Sequence, residues 1–287
     1  MNGYVMSRGH ARPDDYDFLG AAPPMEWWKK YHPYADFEYP TLLVESRKDQ
    51  WQLYLSGIRS ERTDAVGTAI RFTLVLSGRC GDEAAPRAAR LAAQWLADLA
   101  AGKPAGEVGR CLDLHFPGEA VDTLRGRRDT EAADETGRLL DQALSAVQLL
   151  PTPGAAKQAM ESDPPDPSSW LGGLPHDRHR ELFISCVEDL LSGEMKGRAL
   201  LLNLVARASE APELKHGERL FVLSERGDDL SATGGLVPLT GKASGPERIG
   251  PDPTARRSRM NAKKTVIAIG ATIALGLTIW YVVDRLT

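Results

Sequence analysis

The chain has 287 residues, of which 42% are hydrophobic and 26% charged, and a formal net charge of −4. This composition is typical of a folded globular protein, and the net acidity gives no general attraction to nucleic acid. Cys80, Cys111 and Cys186 are far apart and form no CxxC pair, which argues against a disulfide framework or a zinc site. The first residues lack the apolar stretch of a secretory signal peptide. We therefore expect a protein of a reducing compartment, with no metal, no cofactor and no nucleic-acid partner.

The amino-terminal segment, residues 1–39, is unusually aromatic and is predicted to form an arm. Six of the nineteen aromatic side chains of the chain lie within residues 25–40. Several of them are spaced so that they would share one face of a helix. The arm could dock on a partner protein or pack on its own domain. The candidate partner-binding residues are Trp27, Trp28, Tyr31 and Tyr34.

Three segments after the arm have the pattern of β-strands. Residues 51–58 and 69–76 alternate apolar and polar side chains, with the period of two that marks a half-buried strand. Residues 41–46 precede a turn-like RKDQ and form a third candidate. Their order predicts an antiparallel meander with one face against a core.

Arginines are concentrated around the hairpin that joins the last two of these strands. A guanidinium binds phosphate and carboxylate groups through two parallel hydrogen bonds, so the hairpin could form an anion-binding patch for phosphate or a nucleotide. The alternative is that the arginines pair with the nearby acids Glu61 and Asp64 on a solvated surface. The candidate ligand-binding residues are Arg59, Arg62, Arg71 and Arg79.

The remaining part of the soluble region is predicted to be mainly helical. Apolar residues recur at helical spacing in four segments, which are residues 86–101, 107–116, 131–150 and 180–191. Residues 199–208 and 218–225 are typical of buried strands, although the first could be helical, and a Pro-rich loop spans residues 151–175. We therefore predict an α+β domain over residues 40–225, with an antiparallel sheet and helices packed on one face.

The last part of the chain is predicted to be a tether followed by a membrane anchor. Residues 226–262 are rich in Gly, Pro and Ser and show no periodicity, which indicates a flexible tether. Residues 265–283 form a run of 19 residues without a charge, long enough to cross the ~30 Å hydrocarbon core as a helix. The alternative is a buried core helix. We predict that residues 263–287 form a single transmembrane anchor.

The flanks of this segment predict its orientation. Five basic residues precede it, and few residues of any kind follow it. By the positive-inside rule the amino-terminal region lies in the cytoplasm, so the chain is expected to be tail-anchored in the inner membrane of a bacterium. The residues expected to contact lipid headgroups are Arg256, Arg257, Arg259, Lys263 and Lys264.

Small residues recur four positions apart within the predicted span. This spacing lets two helices approach closely, so Gly270, Ala274 and Gly276 are candidates for self-association into a homo-oligomer. The alternative is an anchor of moderate hydrophobicity in which Gly and Ala have no special role.

Motifs that would indicate catalysis are weak in this sequence. It contains no P-loop, GxGxxG, GxSxG or HExxH. Cys111 and His115 stand four apart, a spacing that fits a thiolate–imidazole pair on a helix. His176 and His179 could act as acid/base groups, or simply belong to a polar helix start.

Three functional hypotheses follow from these patterns. The leading one is a non-catalytic interaction or sensor module, held at the membrane by its anchor. The second is a membrane-disrupting effector that oligomerises its transmembrane helix, and the third is a membrane-tethered hydrolase or transferase that uses His176, His179 or Cys111. A soluble domain, a tether and a terminal span also occur together in many bacterial signalling and phage-defence components, but a shared layout does not establish a shared function.

Overall fold

The computed structural model describes residues 1–9, 16–64, 66–103, 105–152, 168–225 and 235–240. They lie in a unit that spans Met1–Lys242, and a second unit, Ala243–Thr287, lies outside the described residues. The helices are α1 Ala84–Ala100, α2 Glu107–His115, α3 Gly118–Leu124, α4 Thr130–Leu149 and α5 Asp177–Ser192. The strands are β1 Asn2–Ser7, β2 Asp17–Phe18, β3 Thr41–Arg47, β4 Gln50–Thr63, β5 Ala69–Arg79, β6 Trp170–Gly173, β7 Gly197–Leu202, β8 Arg219–Ser224 and β9 Val237–Pro238.

The antiparallel meander predicted from alternation is confirmed. β3 pairs with β4, and β4 pairs with β5, both antiparallel. The alternating residues Leu53 and Leu55 face a core shared with the helices, whereas Tyr54 faces a second core on the other side of the sheet. The four predicted helices are also confirmed, as α1, α2, α4 and α5.

The prediction of an antiparallel sheet is wrong for the second half of the sheet. The order of the nine described strands is β2-β1-β5-β4-β3-β7-β8-β6-β9. β7 pairs antiparallel with β3, but β8 runs parallel to both β7 and β6. Parallel strands need a crossover connection, and α5 supplies it between β6 and β7. The sheet is therefore mixed, and the fold is α+β.

Segments predicted as an arm and a tether both contribute strands. β1 pairs antiparallel with β5, and β2 pairs with the outer side of β1. At the other end of the sheet, β9 pairs antiparallel with β6. Its Pro238 lies on an edge strand, where the missing backbone N–H is tolerated. Short strands of two to six residues give too little alternation to be recognised from the sequence.

The two faces of the sheet are covered differently. The buried residues of all five helices share one hydrophobic cluster with one face of the sheet. On the opposite face, Trp27, Trp28 and Tyr31 of a 3₁₀ helix, Trp27–Tyr31, form a second cluster with Leu43 and Tyr54. The aromatic segment is thus packed on its own domain, which is the arrangement that the sequence left open as the alternative to partner docking.

A β-bulge in β4 changes which residues face the helices. Leu55 pairs with Leu74 and Ile58 with Phe72, so β4 uses three residues where β5 uses two. Gly57 in the bulge has φ +75, a left-handed value that glycine adopts without strain. Because of the extra residue, Ile58 returns to the helix-covered face, and the next residue, Arg59, is directed to the opposite face.

Replacing Gly57 by alanine is expected to lower the melting temperature more than replacing Gly126 by alanine. Both glycines are left-handed, at φ +75 and +74, so each alanine adds a similar backbone cost of about 1–2 kcal/mol. Only at Gly57 would the new Cβ lie 2.7 Å from Pro40 N, whereas the described residues place no heavy atom within 4 Å of a Cβ at Gly126. Thermal unfolding of the full chain in neutral detergent measures the difference, and equal shifts would contradict the proposed role of the bulge.

The predicted membrane span cannot be placed on this framework. Residues 226–234 and 241–287, and with them residues 265–283, lie outside the described residues. Within the described part of the chain, no helix combines the length and apolar character needed to cross a bilayer. The transmembrane anchor stays a prediction.

Candidate functional site

Two of the four predicted ligand-binding arginines face each other across adjacent strands. Arg59 on β4 is the direct cross-strand partner of Arg71 on β5. Arg59 is exposed and Arg71 is half-buried. Among the described residues, neither guanidinium forms an ion pair with a carboxylate. Like charges directly opposite each other in a sheet are destabilising, so this pair places uncompensated positive charge at one point of the surface.

Two tyrosines, Tyr16 and Tyr39, contact Arg71. Its guanidinium carbon lies 6.0 Å from the centre of the Tyr39 ring, within the range of a cation–π contact, and the same guanidinium donates a hydrogen bond to the Glu38 carbonyl oxygen. The backbone N–H of Arg71 donates to the Tyr16 hydroxyl at 3.1 Å. Tyr16 and Tyr39 are 37% and 52% exposed. We call Tyr16, Tyr39, Arg59 and Arg71 the Tyr–Arg surface.

The backbone around Tyr39 is held by the strands beneath it. The Tyr39 carbonyl oxygen accepts hydrogen bonds from Thr41 Oγ1 at 3.2 Å and from Ser56 Oγ at 3.4 Å. The bulge at Gly57 lies directly below, because a Cβ there would be 2.9 Å from the Tyr39 carbonyl carbon. The same glycine therefore directs Arg59 to this face and allows Tyr39 to approach it.

The other two predicted ligand-binding arginines lie elsewhere. Arg62 Nε donates to Asp113 Oδ1 on α2 at 3.0 Å, and its guanidinium stacks over Phe72. Arg79 is at the far end of β5, eight residues from Arg71, a distance of roughly 26 Å along a strand. The structure thus brings Arg59 and Arg71 together and separates both from Arg79.

The predicted partner-binding aromatic residues are mostly buried. Trp27, Trp28 and Tyr31 are 9%, 5% and 1% exposed. Trp28 stacks on Tyr54 with ring centroids 5.0 Å apart, and the centroids of Phe18 and Trp27 each lie 6.3 Å from that of Trp28. Tyr34 is half-buried against the same cluster. These side chains hold the 3₁₀ helix on the sheet, and the exposed aromatic side chains of the Tyr–Arg surface are Tyr16 and Tyr39.

A buried carboxylate fixes the 3₁₀ helix to the central strand. Glu45 on β3 is 3% exposed. It accepts a hydrogen bond from Tyr31 Oη at 2.5 Å and forms an ion pair with Lys30 Nζ at 2.5 Å. Burial, reinforced by the Glu45 charge, raises the pKa of Tyr31 far above its ordinary value. Burial lowers the pKa of Lys30, while Glu45 opposes that shift. Arg198 lies directly across from Glu45 on β7.

The residues considered for catalysis lie on α2 and at the start of α5. Burial raises the pKa of the Cys111 thiol, which disfavours the thiolate that a nucleophile requires. His179 is 1% exposed, and its Nδ1 accepts a hydrogen bond from Gly173 N at 3.0 Å. His176 is the residue before α5, with its ring 4.7 Å from that of His179. The described residues contain no cluster of three potential metal ligands.

Several predicted contacts lie outside the described residues. These are the lipid-headgroup residues Arg256, Arg257, Arg259, Lys263 and Lys264 and the helix-association residues Gly270, Ala274 and Gly276. In contrast, Tyr16 and Tyr39 are described and were not predicted as site residues. The sequence signal that could have identified Tyr39 is the isolated Gly57 in an alternating strand, which is typical of a bulge or a close backbone approach.

No protein-family model, curated protein or solved structure matches the chain. The fold alone defines its class, an α+β protein built on a mixed nine-stranded sheet.

Proposed function

We propose that this chain is a non-catalytic docking module that is held at the inner membrane of a bacterium and binds an acidic segment of a partner protein. Residues 265–283 are the anchor, and the domain faces the cytoplasm, as the basic residues before the span indicate. An anchored module concentrates its partner at the bilayer, a role suited to signalling or phage defence.

The observation that carries the proposal is the opposed pair Arg59 and Arg71. Their repulsion costs stability, and the described residues offer no carboxylate that pairs with either guanidinium. A carboxylate from a partner would bind to them through charge-assisted hydrogen bonds. Arginine and tyrosine are also the residue types enriched at the centres of protein interfaces, and Tyr16 and Tyr39 flank the pair.

An acidic protein segment fits this surface better than nucleic acid does. The two arginines, which have no carboxylate partner among the described residues, form a small positive region on a chain of net charge −4. Binding of single-stranded nucleic acid normally requires a basic groove that follows the backbone over several nucleotides. A short acidic peptide needs only one or two carboxylates in reach of the guanidinium groups.

Binding of a defined peptide tests the docking surface. We expect a fluorescein-labelled, glutamate-rich peptide to bind to the full chain in neutral detergent, and its glutamine counterpart to bind much more weakly. Arg59→Glu and Arg71→Glu should each weaken binding about tenfold or more, equivalent to about 1.4 kcal/mol, because each replacement brings a like charge to the peptide. Fluorescence anisotropy measures the affinities.

The matched control is Arg138→Glu. Arg138 is 54% exposed on α4 and pairs with Glu135, so this variant makes the same charge change away from the Tyr–Arg surface. Equal weakening by all three variants would show that binding follows net charge alone and would overturn the proposed surface.

A further inference from the structure

A second basic site lies at the opposite end of β5 from the Tyr–Arg surface. An open cavity of about 600 Å³ is bordered by the β3–β4 turn, the end of β5 and the residues after α5. Three cationic side chains line it, Lys48, Arg79 and Lys196. Its volume is within the range of small-molecule sites, about 300–1,000 Å³.

The three cations have no partners within the described part of the chain. In the described residues, the side-chain nitrogens of Lys48, Arg79 and Lys196 form no hydrogen bond and no ion pair; Arg79 bonds there through its backbone alone. Because three positive charges converge on one cavity without a matching set of carboxylates, their mutual repulsion favours binding of an anion.

The acidic residues at the cavity do not cancel this charge. Asp82 Oδ2 accepts a hydrogen bond from Arg79 N at 3.1 Å, and its Oδ1 accepts from Ala84 N at 3.1 Å and from Ala85 N at 2.9 Å. These bonds fix the Asp82 carboxylate between the end of β5 and the start of α1. Asp49 is the other carboxylate of the lining, so three cations face two anions and the lining carries a net charge of +1.

The backbone at Lys48 has a conformation that glycine normally adopts in a two-residue hairpin turn. Lys48 has φ +54, and no other non-glycine residue in the described ranges has a positive φ. A long side chain in this conformation costs about 1–2 kcal/mol relative to glycine. Strain of this kind is concentrated at ligand sites, where it fixes a side chain in position. Here it holds a lysine at the cavity mouth in a turn where glycine would be more stable.

The rear of the cavity is formed by a close approach of β5 and α5. Gly193 ends α5 at φ +89, and a Cβ there would lie 2.8 Å from the Cys80 Cβ. Gly81 N donates to the Leu191 carbonyl oxygen at 3.1 Å, so one carbonyl at the negative end of the α5 dipole is already bonded. This contact brings Lys196, just beyond the helix, towards Arg79 and Lys48.

We propose that this cavity binds the phosphate group of a small phosphorylated molecule or of a phospholipid. Both sources present the same chemistry, a compact anion with several acceptor oxygens. Lysines and an arginine are the residues that bind such a group, the lysines as point charges and the arginine through its planar fork. The site is separate from the Tyr–Arg surface and does not depend on the docking function.

Calorimetric titration of the full chain in neutral detergent tests the proposal, with pyrophosphate as the soluble probe and mixed micelles containing phosphatidylglycerol as the lipid probe. We expect pyrophosphate to bind. Lys48→Gly and Lys196→Gln should each weaken binding about tenfold. Lys48→Gly also removes the backbone strain, so the melting temperature of this variant should rise. Weaker binding by a more stable variant would show that a ligand contact is lost and that the fold is intact.

The same titration includes a control variant and gives the results that would contradict the phosphate site. Lys103→Gln, a lysine that pairs with Glu107, should bind pyrophosphate like the unchanged chain. Binding of phosphatidylglycerol micelles without pyrophosphate binding would support the site and identify a lipid as the source. Absence of binding to both probes would overturn the proposal, and so would Lys48→Gly and Lys196→Gln variants that bind as tightly as the unchanged chain. Unchanged binding of the acidic peptide by these variants would show that the docking function is independent.

Discussion

Replacing Glu45 by alanine is expected to lower the free energy of unfolding by about 1.5–3 kcal/mol, because the buried Tyr31 hydroxyl loses its hydrogen bond to a carboxylate. Glu45 is 3% exposed on the central strand. The alanine variant would leave Tyr31 Oη without its acceptor, whereas the buried Arg198 would keep its ion pair with Glu218 at 3.6 Å and its hydrogen bond to the Glu213 carbonyl oxygen. Lys30, which is half-exposed, would lose less because it can turn to solvent.

Thermal and urea unfolding of the full chain in neutral detergent measure the change. Glu61→Ala is the matched control, since Glu61 is an exposed carboxylate on the neighbouring strand β4. Tyr31→Phe should cost about 1.5–3 kcal/mol, the usual contribution of a hydrogen bond to a charged group. In the double variant with Glu45→Ala the two losses should not add, because both remove the same bond. Additive losses would contradict the contact between Tyr31 and Glu45.

Replacing Trp28 by alanine is the second change with a large expected effect, about 3–5 kcal/mol. Trp28 is 5% exposed, stacks on Tyr54 and contacts the rings of Phe18 and Trp27. The alanine variant would leave a cavity at the centre of this aromatic cluster. Because the cluster holds the segment that leads to Tyr39, we also expect the acidic peptide to bind more weakly.

Tyr39→Ala distinguishes a residue that contacts the peptide from one, such as Trp28, that only stabilises the fold around it. Tyr39 is 52% exposed, so its removal should change the free energy of unfolding by less than about 1 kcal/mol while still weakening peptide binding. Unfolding curves and anisotropy measured on the same samples give both quantities. A Trp28→Ala protein that unfolds at the unchanged temperature would contradict the intramolecular role of the aromatic segment.

The sequence was sufficient to predict the elements with strong periodicity. The strands around Leu53 and Leu74 and the long helix α4 have apolar residues at regular spacing. This spacing already indicates which face of each element is buried in the folded protein. The start of α4 is also fixed locally, because Asp129 is its N-cap residue and the Asp129 side chain accepts a hydrogen bond from Ala132 N at 2.9 Å.

The parallel half of the sheet could not be predicted because its determinants are distant contacts. β6 has four residues, two of which are glycines, and they show no alternation. Gly172 allows the close packing of α5, since a Cβ there would lie 3.2 Å from His179 Cβ. The hydrogen bond from Gly173 N to His179 Nδ1 adds a second contact between β6 and the helix. These contacts form only when α5 crosses over the sheet between β6 and β7, so the local sequence of β6 does not reveal them.

The Tyr–Arg surface was only partly predictable for a similar reason. The residue types were evident from the sequence, but the bulge at Gly57 decides which arginines meet. If β4 continued in regular register with β5 beyond Leu55, Ile58 would lie across from Arg71, and Arg59 would be directed to the helix-covered face. Tyr16 reaches Arg71 across 55 positions of sequence, a separation that no local pattern can reveal.

Photo-crosslinking in intact bacteria tests most directly whether this chain is a membrane-anchored docking module. A benzophenone amino acid at position 39 of the full chain should form a crosslink to an acidic partner protein, and the product should float with the inner membrane. Arg59→Glu and Arg71→Glu should remove the crosslink, Arg138→Glu should retain it, and a chain that ends at residue 254 should leave the membrane fraction. Crosslinks that persist in both arginine variants, or a full chain found in the soluble fraction, would contradict the account.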